Sequence, residues 1–164
     1  MKLAVSGPEE YALQLAALEE DAEATANSMV FAGAKIVADA IMARLKGLST
    51  VSDQKNIALY RKKQKTRLSE GMKAGLIESF GISRFRNDGG VIYAKIGFDG
   101  YNAVRTKKYP SGQPNQLIAR LLEGGSQYFD ADPFIRPAVR ASKEAAIQEM
   151  RIVLDERIRK KVNN

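Results

Sequence analysis

Five cations in seven residues, Arg61-Lys62-Lys63-Gln64-Lys65-Thr66-Arg67, form the strongest concentration of charge along this sequence. No acid interrupts the run, and Glu70 is the nearest along the chain. Carboxylates one turn away on the same helix therefore cannot neutralise it. Such a run contacts phosphates or docks on an acidic surface; its plain alternative is a solvated helix face or an exposed loop. Only Tyr60 adjoins it, which argues against base stacking on single strands. Arg61, Lys62, Lys63, Lys65 and Arg67 are the candidate DNA-facing residues.

Other chemistry is sparse. The chain has no histidine and no cysteine, so it lacks the commonest general base, the commonest metal ligand and any thiolate nucleophile. No phosphate-binding glycine loop or paired metal-ligand motif is present. Asp130 and Asp132 precede a helical stretch and read as cap and solvent groups rather than a cation site. Glu123, ahead of Gly124-Gly125, reads first as a carboxylate that binds backbone amides and fixes a turn, and second as half of an intersubunit salt bridge. Arg136 and Arg140 lie one helical turn apart and are candidates for the other half. The reading is a non-enzyme without metal or cofactor.

The elements that position these groups follow from periodicity. Gly7-Pro8-Glu9-Glu10 opens a helix whose first stripe is Tyr11, Leu15, Leu18, Ala22, Ala26 and Met29. A second stripe, Val30, Ala34, Val37, Ile41 and Leu45, continues to Gly47. A break at Glu19-Glu20-Asp21 or at Asn27-Ser28 would make this a helix pair rather than one long helix. A further helix from Ile57 is expected to carry the basic run. Strands at 77–86 and 91–98 flank Asn87-Asp88-Gly89-Gly90, a hairpin turn composition. Residues 101–114 form a loop with Tyr101, Arg105, Lys107 and Lys108, either a mobile excursion or an arm that orders on a partner. A short helix through Leu117, Ile118, Leu121 and Leu122 ends at Gly124-Gly125. The last helix runs from Pro133, with Asp132 as its N-cap, toward Val162, and buries Ile147, Met150, Leu154 and Ile158. Phe134 reads as a core anchor pinning the preceding loop against the sheet.

These pieces predict one α+β domain over 1–164: a long N-terminal helix or helix pair, a small antiparallel sheet built on the hairpin, and a C-terminal helix. Charge divides it. Residues 1–49 hold four Lys/Arg against seven Asp/Glu, and the remainder 22 against 12, within a net charge of +7. A chain with one acidic end and a basic body can dock head-to-tail on its own copies or face a polyanion. Glu19, Glu20 and Asp21 are the acidic contact candidates. No signal-peptide pattern opens the chain, and no stretch is long and apolar enough to span a bilayer, so the expectation is a soluble intracellular product.

One segment carries a resemblance. Leu121-Leu122-Glu123-Gly124-Gly125 is followed by Pro133-Phe134-Ile135-Arg136-Pro137-Ala138. This acidic-Gly-Gly turn with Pro-Phe-x-x-Pro-Ala is similar to the C-terminal signature of the siphophage-type neck, or tail-completion (head–tail joining), proteins of tailed phages. The order of elements is compatible with that family across most of the chain, although Ser69-Glu70-Gly71-Met72 matches its usual Thr-Gly-x-Leu turn only loosely. The resemblance makes Gly124, Gly125, Pro133, Phe134 and Pro137 structural motif residues. It implies a structural virion protein, made in the host cytoplasm, that forms a ring where a DNA-filled head meets its tail. It also implies adjoining head-closure and tail proteins and double-stranded DNA passing through the lumen. The sixfold tail suggests roughly six copies, with roughly twelve as the alternative. The rival expectation is a stand-alone basic module that binds nucleic acid without sequence preference.

Overall fold

The structure, a computed structural model, describes residues 22–162. Glu19, Glu20, Asp21 and the first stripe up to Leu18 lie outside the described residues. In chain order the elements are α1 (Ala22–Gly47), α2 (Asp53–Arg61), α3 (Glu70–Ser79), β1 (Phe80–Ile82), β2 (Arg86–Asp88), β3 (Val91–Tyr93), β4 (Ile96–Phe98), α4 (Asn115–Gly124) and α5 (Ile135–Val162). The fold is α+β.

Helix α1 passes through Asn27-Ser28 without a break, and the Ser28 hydroxyl donates back to the Ala24 carbonyl inside the turn. Glu23 in its first turn and Arg44 and Lys46 in its last complement the helix dipole. At its end, Lys73 Nζ donates to the Lys46 and Leu48 carbonyls, both at 2.7 Å, and so satisfies acceptors the helix leaves open. Helices α1 and α5 run antiparallel: Arg157 meets Ser28 at one level, and Gly33 faces Met150 and Ala146 at the next. A Cβ on Gly33 would sit 2.8 Å from the Met150 side chain, so Met150 fills the space this glycine leaves open. The deepest residues of α5 are Ala138, Ser142 and Ala146, whereas Ile147, Met150 and Leu154 are half-buried and Ile158 is exposed. The most buried face of α5 is thus made of small side chains, with Met150 packed over Gly33.

The hairpin is shorter and more irregular than its sequence suggests. Ile77 to Ser79 belong to α3, where Ser69 caps the helix by accepting from the Met72 amide. Two small antiparallel sheets replace one: Ile82 pairs with Ile96, and Arg86 with Tyr93. Three residues (83–85) therefore oppose two (94–95), a bulge that breaks both expected strands. The turn is Gly89-Gly90, with φ of 59° and 90°, and the Asn87 side chain accepts from the Gly90 amide.

The core gathers patches from five elements: Ile41 and Leu45 of α1, Met72 and Leu76 of α3, Phe98 of β4, Ile118 and Leu122 of α4, and Phe134 and Ala138 around the start of α5. Phe134 has no exposed surface and meets the Phe98 ring edge-on at 5.9 Å, as the anchor reading expected. The 101–114 loop is tied at its base. The Asn102 amide donates to the Gln113 carbonyl, Asn115 donates to the Gly100 carbonyl, and Asn102 is buried.

Replacing Phe134 with alanine removes an edge-on aromatic contact and leaves a cavity, so Phe134→Ala is expected to cost about 3–5 kcal/mol. Equilibrium denaturation of the variant checks this; a loss below about 1 kcal/mol would mean that the ring is not a core anchor.

Candidate functional site

Two built sites emerge, and the first is the Glu123 clamp. Helix α5 begins at Ile135, two residues later than expected, and Asp132 makes no cap. The cap comes instead from Glu123, on the last turn of α4. One carboxylate oxygen accepts from the Phe134 amide at 2.8 Å and from the Ile135 amide; the other accepts from the Arg136 amide at 3.3 Å. The next residue is Pro137, which has no amide hydrogen, and the first intrahelical bond runs from Ala138 to the Phe134 carbonyl. Every free donor of the first turn is thereby satisfied by one side chain. The second proline is the residue type that leaves no fourth donor stranded.

Arg136 closes the clamp from outside. Its Nε lies 3.1 Å from the second carboxylate oxygen, and another guanidinium nitrogen donates to the Glu123 carbonyl at 3.0 Å. The Arg136 side chain is 68% exposed and that of Glu123 only 12%, so solvent screens the ion pair while the amide bonds are sheltered. Partial burial pushes the Glu123 carboxyl upward. The three amides and the guanidinium outweigh that effect and hold it below the usual carboxylate range. Gly124 ends α4, and Gly125, at φ 66°, turns the chain so that its amide reaches the Leu121 carbonyl at 2.7 Å. The amide-binding reading of Glu123 holds, but the amides are those of α5 rather than of its own turn. Arg136 takes the partner role within the chain, and Arg140 is exposed one turn further along the same open cleft.

The second site is the basic segment, which departs from expectation in two ways. Helix α2 stops at Arg61, and Lys63 adopts φ 57°, so residues 62–67 form a loop rather than a helix face. That loop is pinned. The buried Asn56 amide group donates to the Arg67 carbonyl and accepts from the Arg67 amide, both at 2.9 Å, as a neighbouring strand would. Thr66 bonds the Tyr128 carbonyl through both its amide and its hydroxyl, and Asp130 donates its amide to the Thr66 carbonyl. This parallel bridge brings a distant acid to the run. Asp130 lies 3.9 Å from Lys65 and 3.7 Å from Arg67, so it serves as their partner rather than as a cation ligand. Arg61, Lys62 and Lys63 have no carboxylate within 4 Å among the described residues.

Sequence reasoning missed Asn56, Asp130 as counter-charge, and Tyr128. Tyr128 is 68% exposed and Tyr60 71% exposed, so two tyrosines flank the loop rather than one. The contacts of Asp130 and Tyr128 join residues more than 60 positions apart, and those of Asn56 span 11, which no local pattern reveals. Tyr101, Arg105, Lys107 and Lys108 are all exposed on the third candidate surface, and Lys108 stacks its ammonium over the Tyr109 ring at 5.4 Å. No helix among the described residues is long and apolar enough to cross a membrane. Comparison with protein-family models, with curated proteins and with solved structures finds no match.

The clamp yields a stability prediction with a defined pH dependence. Glu123→Ala is expected to destabilise the protein at pH 7 by about 2 kcal/mol, the upper range for removal of a cap. A lowered folded-state pKa means the wild-type advantage is complete above the unfolded carboxyl value of about 4.3 and disappears as pH falls through the lower folded value. Denaturation midpoints of wild type and variant should therefore converge as the pH falls below the ordinary glutamate range. Equal midpoints at pH 7 would contradict the clamp.

Proposed function

We propose that this chain is a structural component of a tailed-phage virion that assembles as a ring at the head–tail junction. The observation that carries the reading is the family-like signature itself. Its acidic residue, paired glycines and second proline, Pro137, meet at one clamp, so the resemblance covers a working unit rather than scattered identities. The division of charge adds support, because an acidic N-terminal segment and a basic body suit heterologous contacts between copies, which close into rings. In this reading the pinned loop at Arg61, Lys62 and Lys63 faces the lumen, where passing DNA requires phosphate attraction without base readout. Adjoining head-closure and tail proteins complete the junction.

The second reading is a stand-alone nucleic-acid-binding module, favoured by the exposed Tyr60 and Tyr128 beside the basic loop. Assembly separates the two. Mass photometry of the protein with its head and tail partners should give a defined multimer. Reversing Glu19, Glu20 and Asp21 to lysine should abolish it while the helical spectrum stays unchanged. A protein that stays monomeric with its partners present would sink the ring.

The DNA interaction has its own test. Neutral replacement of Arg61, Lys62 and Lys63 should weaken duplex binding equally across sequences and lower the salt slope by about 0.9 for each phosphate that is no longer neutralised. Replacement of Lys65 and Arg67, which already face Asp130, should lower it less. An unchanged slope in the first variant would leave the loop as plain solvated surface.

A further inference from the structure

Two glycines in the inner sheet have no explanation within the chain. Gly81 on β1 and Gly97 on β4 are direct cross-strand partners. Neither adopts positive φ, and a Cβ built on either would meet nothing within 4 Å. Any residue would fit, and glycine weakens a strand by giving up packing and adding chain entropy. Opposed glycines in a ladder leave a strip of bare backbone, which suits close approach from outside. The strip lines a groove of about 820 Å³ together with Ser83, Lys95, Gln116 and Arg120. Lys95 and Arg120 are exposed and have no carboxylate within 4 Å among the described residues, while Asp99 and Glu123, on the same groove, are engaged by the Gly100 amide and by the α5 amides.

The chain contains a complementary segment outside the described residues. Residues 1–21 hold five carboxylates against one lysine, and Tyr11, Leu15 and Leu18 recur at helical spacing. We propose that this apolar stripe, from a second copy of the chain, seats on the Gly81–Gly97 strip with Glu19, Glu20 and Asp21 toward Lys95 and Arg120. The proposal rests on the ring reading and names the receptor for the acidic end. Reach keeps the chain's own Leu18 and the three acids that follow it off the strip, so the charge half of this contact needs a second copy. Phe31 of α1 meets Phe85 of the hairpin at 6.3 Å, and from there β1 runs along α1 toward the core, where Phe80 packs. Ala22 is nine residues from Phe31, and Gly81 four from Phe85, so Ala22 stands about 25 Å from the strip. Leu18 is four residues before Ala22 and reaches at most about 14 Å from it.

The absence of cysteine makes the test clean. Full-length Leu15→Cys and Gly97→Cys, each a single variant and one carrying a size tag, are mixed under mild oxidation and run on a non-reducing gel. A disulfide-linked heterodimer is expected, along with an assembly midpoint concentration for Gly97→Leu raised by about tenfold or more. Wild type measured in parallel separates the outcomes. Assembly of wild type without a crosslink overturns this docking and leaves the ring, whereas neither assembly nor crosslink overturns both. A monomer-sized crosslink in the double variant, with no heterodimer from the singles, overturns the second-copy assignment. Unchanged melting of Gly97→Leu, expected from its open Cβ direction, confirms that any assembly defect is not unfolding.

Discussion

A single carboxylate caps the start of α5, the longest helix among the described residues. Glu123 collects the three free amides of the first turn of α5, and Pro137 removes the fourth donor that would need a partner. Starting α5 at Ile135 sets which of its residues meet α1, because the two helices lie antiparallel with Gly33 against Met150 and Ser28 at Arg157. A one-residue slip of the chain through this fixed start would rotate α5 by about 100° and carry Ala138, Ser142 and Ala146 out of the seam. The same clamp places Phe134 beneath Phe98 and holds the ends of α4 and α5 together, with the Asp132 amide on the Leu122 carbonyl at 2.8 Å. Sheet, helix pair and short helix all depend on that junction.

Much of this was legible where the cause is local. The α1 stripe through Val37, Ile41 and Leu45, the stop at Gly124-Gly125, the Gly89-Gly90 turn and the buried Phe134 follow from periodicity and turn chemistry. What escaped is what tertiary contacts decide. Asp132 has the composition of an N-cap, but a carboxylate eleven residues upstream of Phe134 reaches the amides first. Ile77 to Ser79 have strand-forming neighbours, yet the Ser69 cap and the burial of Leu76 extend α3 through them. Met150 and Leu154 carry the strongest apolar signal on α5, yet Ala138, Ser142 and Ala146 bury more deeply, and Met150 stays half-buried over Gly33.

The basic segment shows how a charge run acquires meaning from its scaffold. In sequence it is a uniform block of five cations. In the fold Asn56 and Thr66 fasten its far end, Asp130 offsets Lys65 and Arg67, and three cations at the near end keep their charge uncompensated by any carboxylate within 4 Å among the described residues. A pinned loop gives up little entropy on meeting a phosphate backbone, which favours contact by preorganisation rather than by charge count alone. The bare Gly81–Gly97 strip lies against the same α4 that carries Glu123, so the clamp also fixes one wall of the surface assigned to the neighbouring copy.

The central claim is that the Glu123 carboxylate, in its charged form, organises the start of α5. A carboxyl-carbon NMR titration of Glu123, followed together with the amide resonances of Phe134, Ile135 and Arg136, tests it most directly. The account predicts a Glu123 midpoint below the ordinary glutamate range, with all three amides shifting at that same midpoint. An ordinary midpoint with amides that do not respond to it would contradict the account.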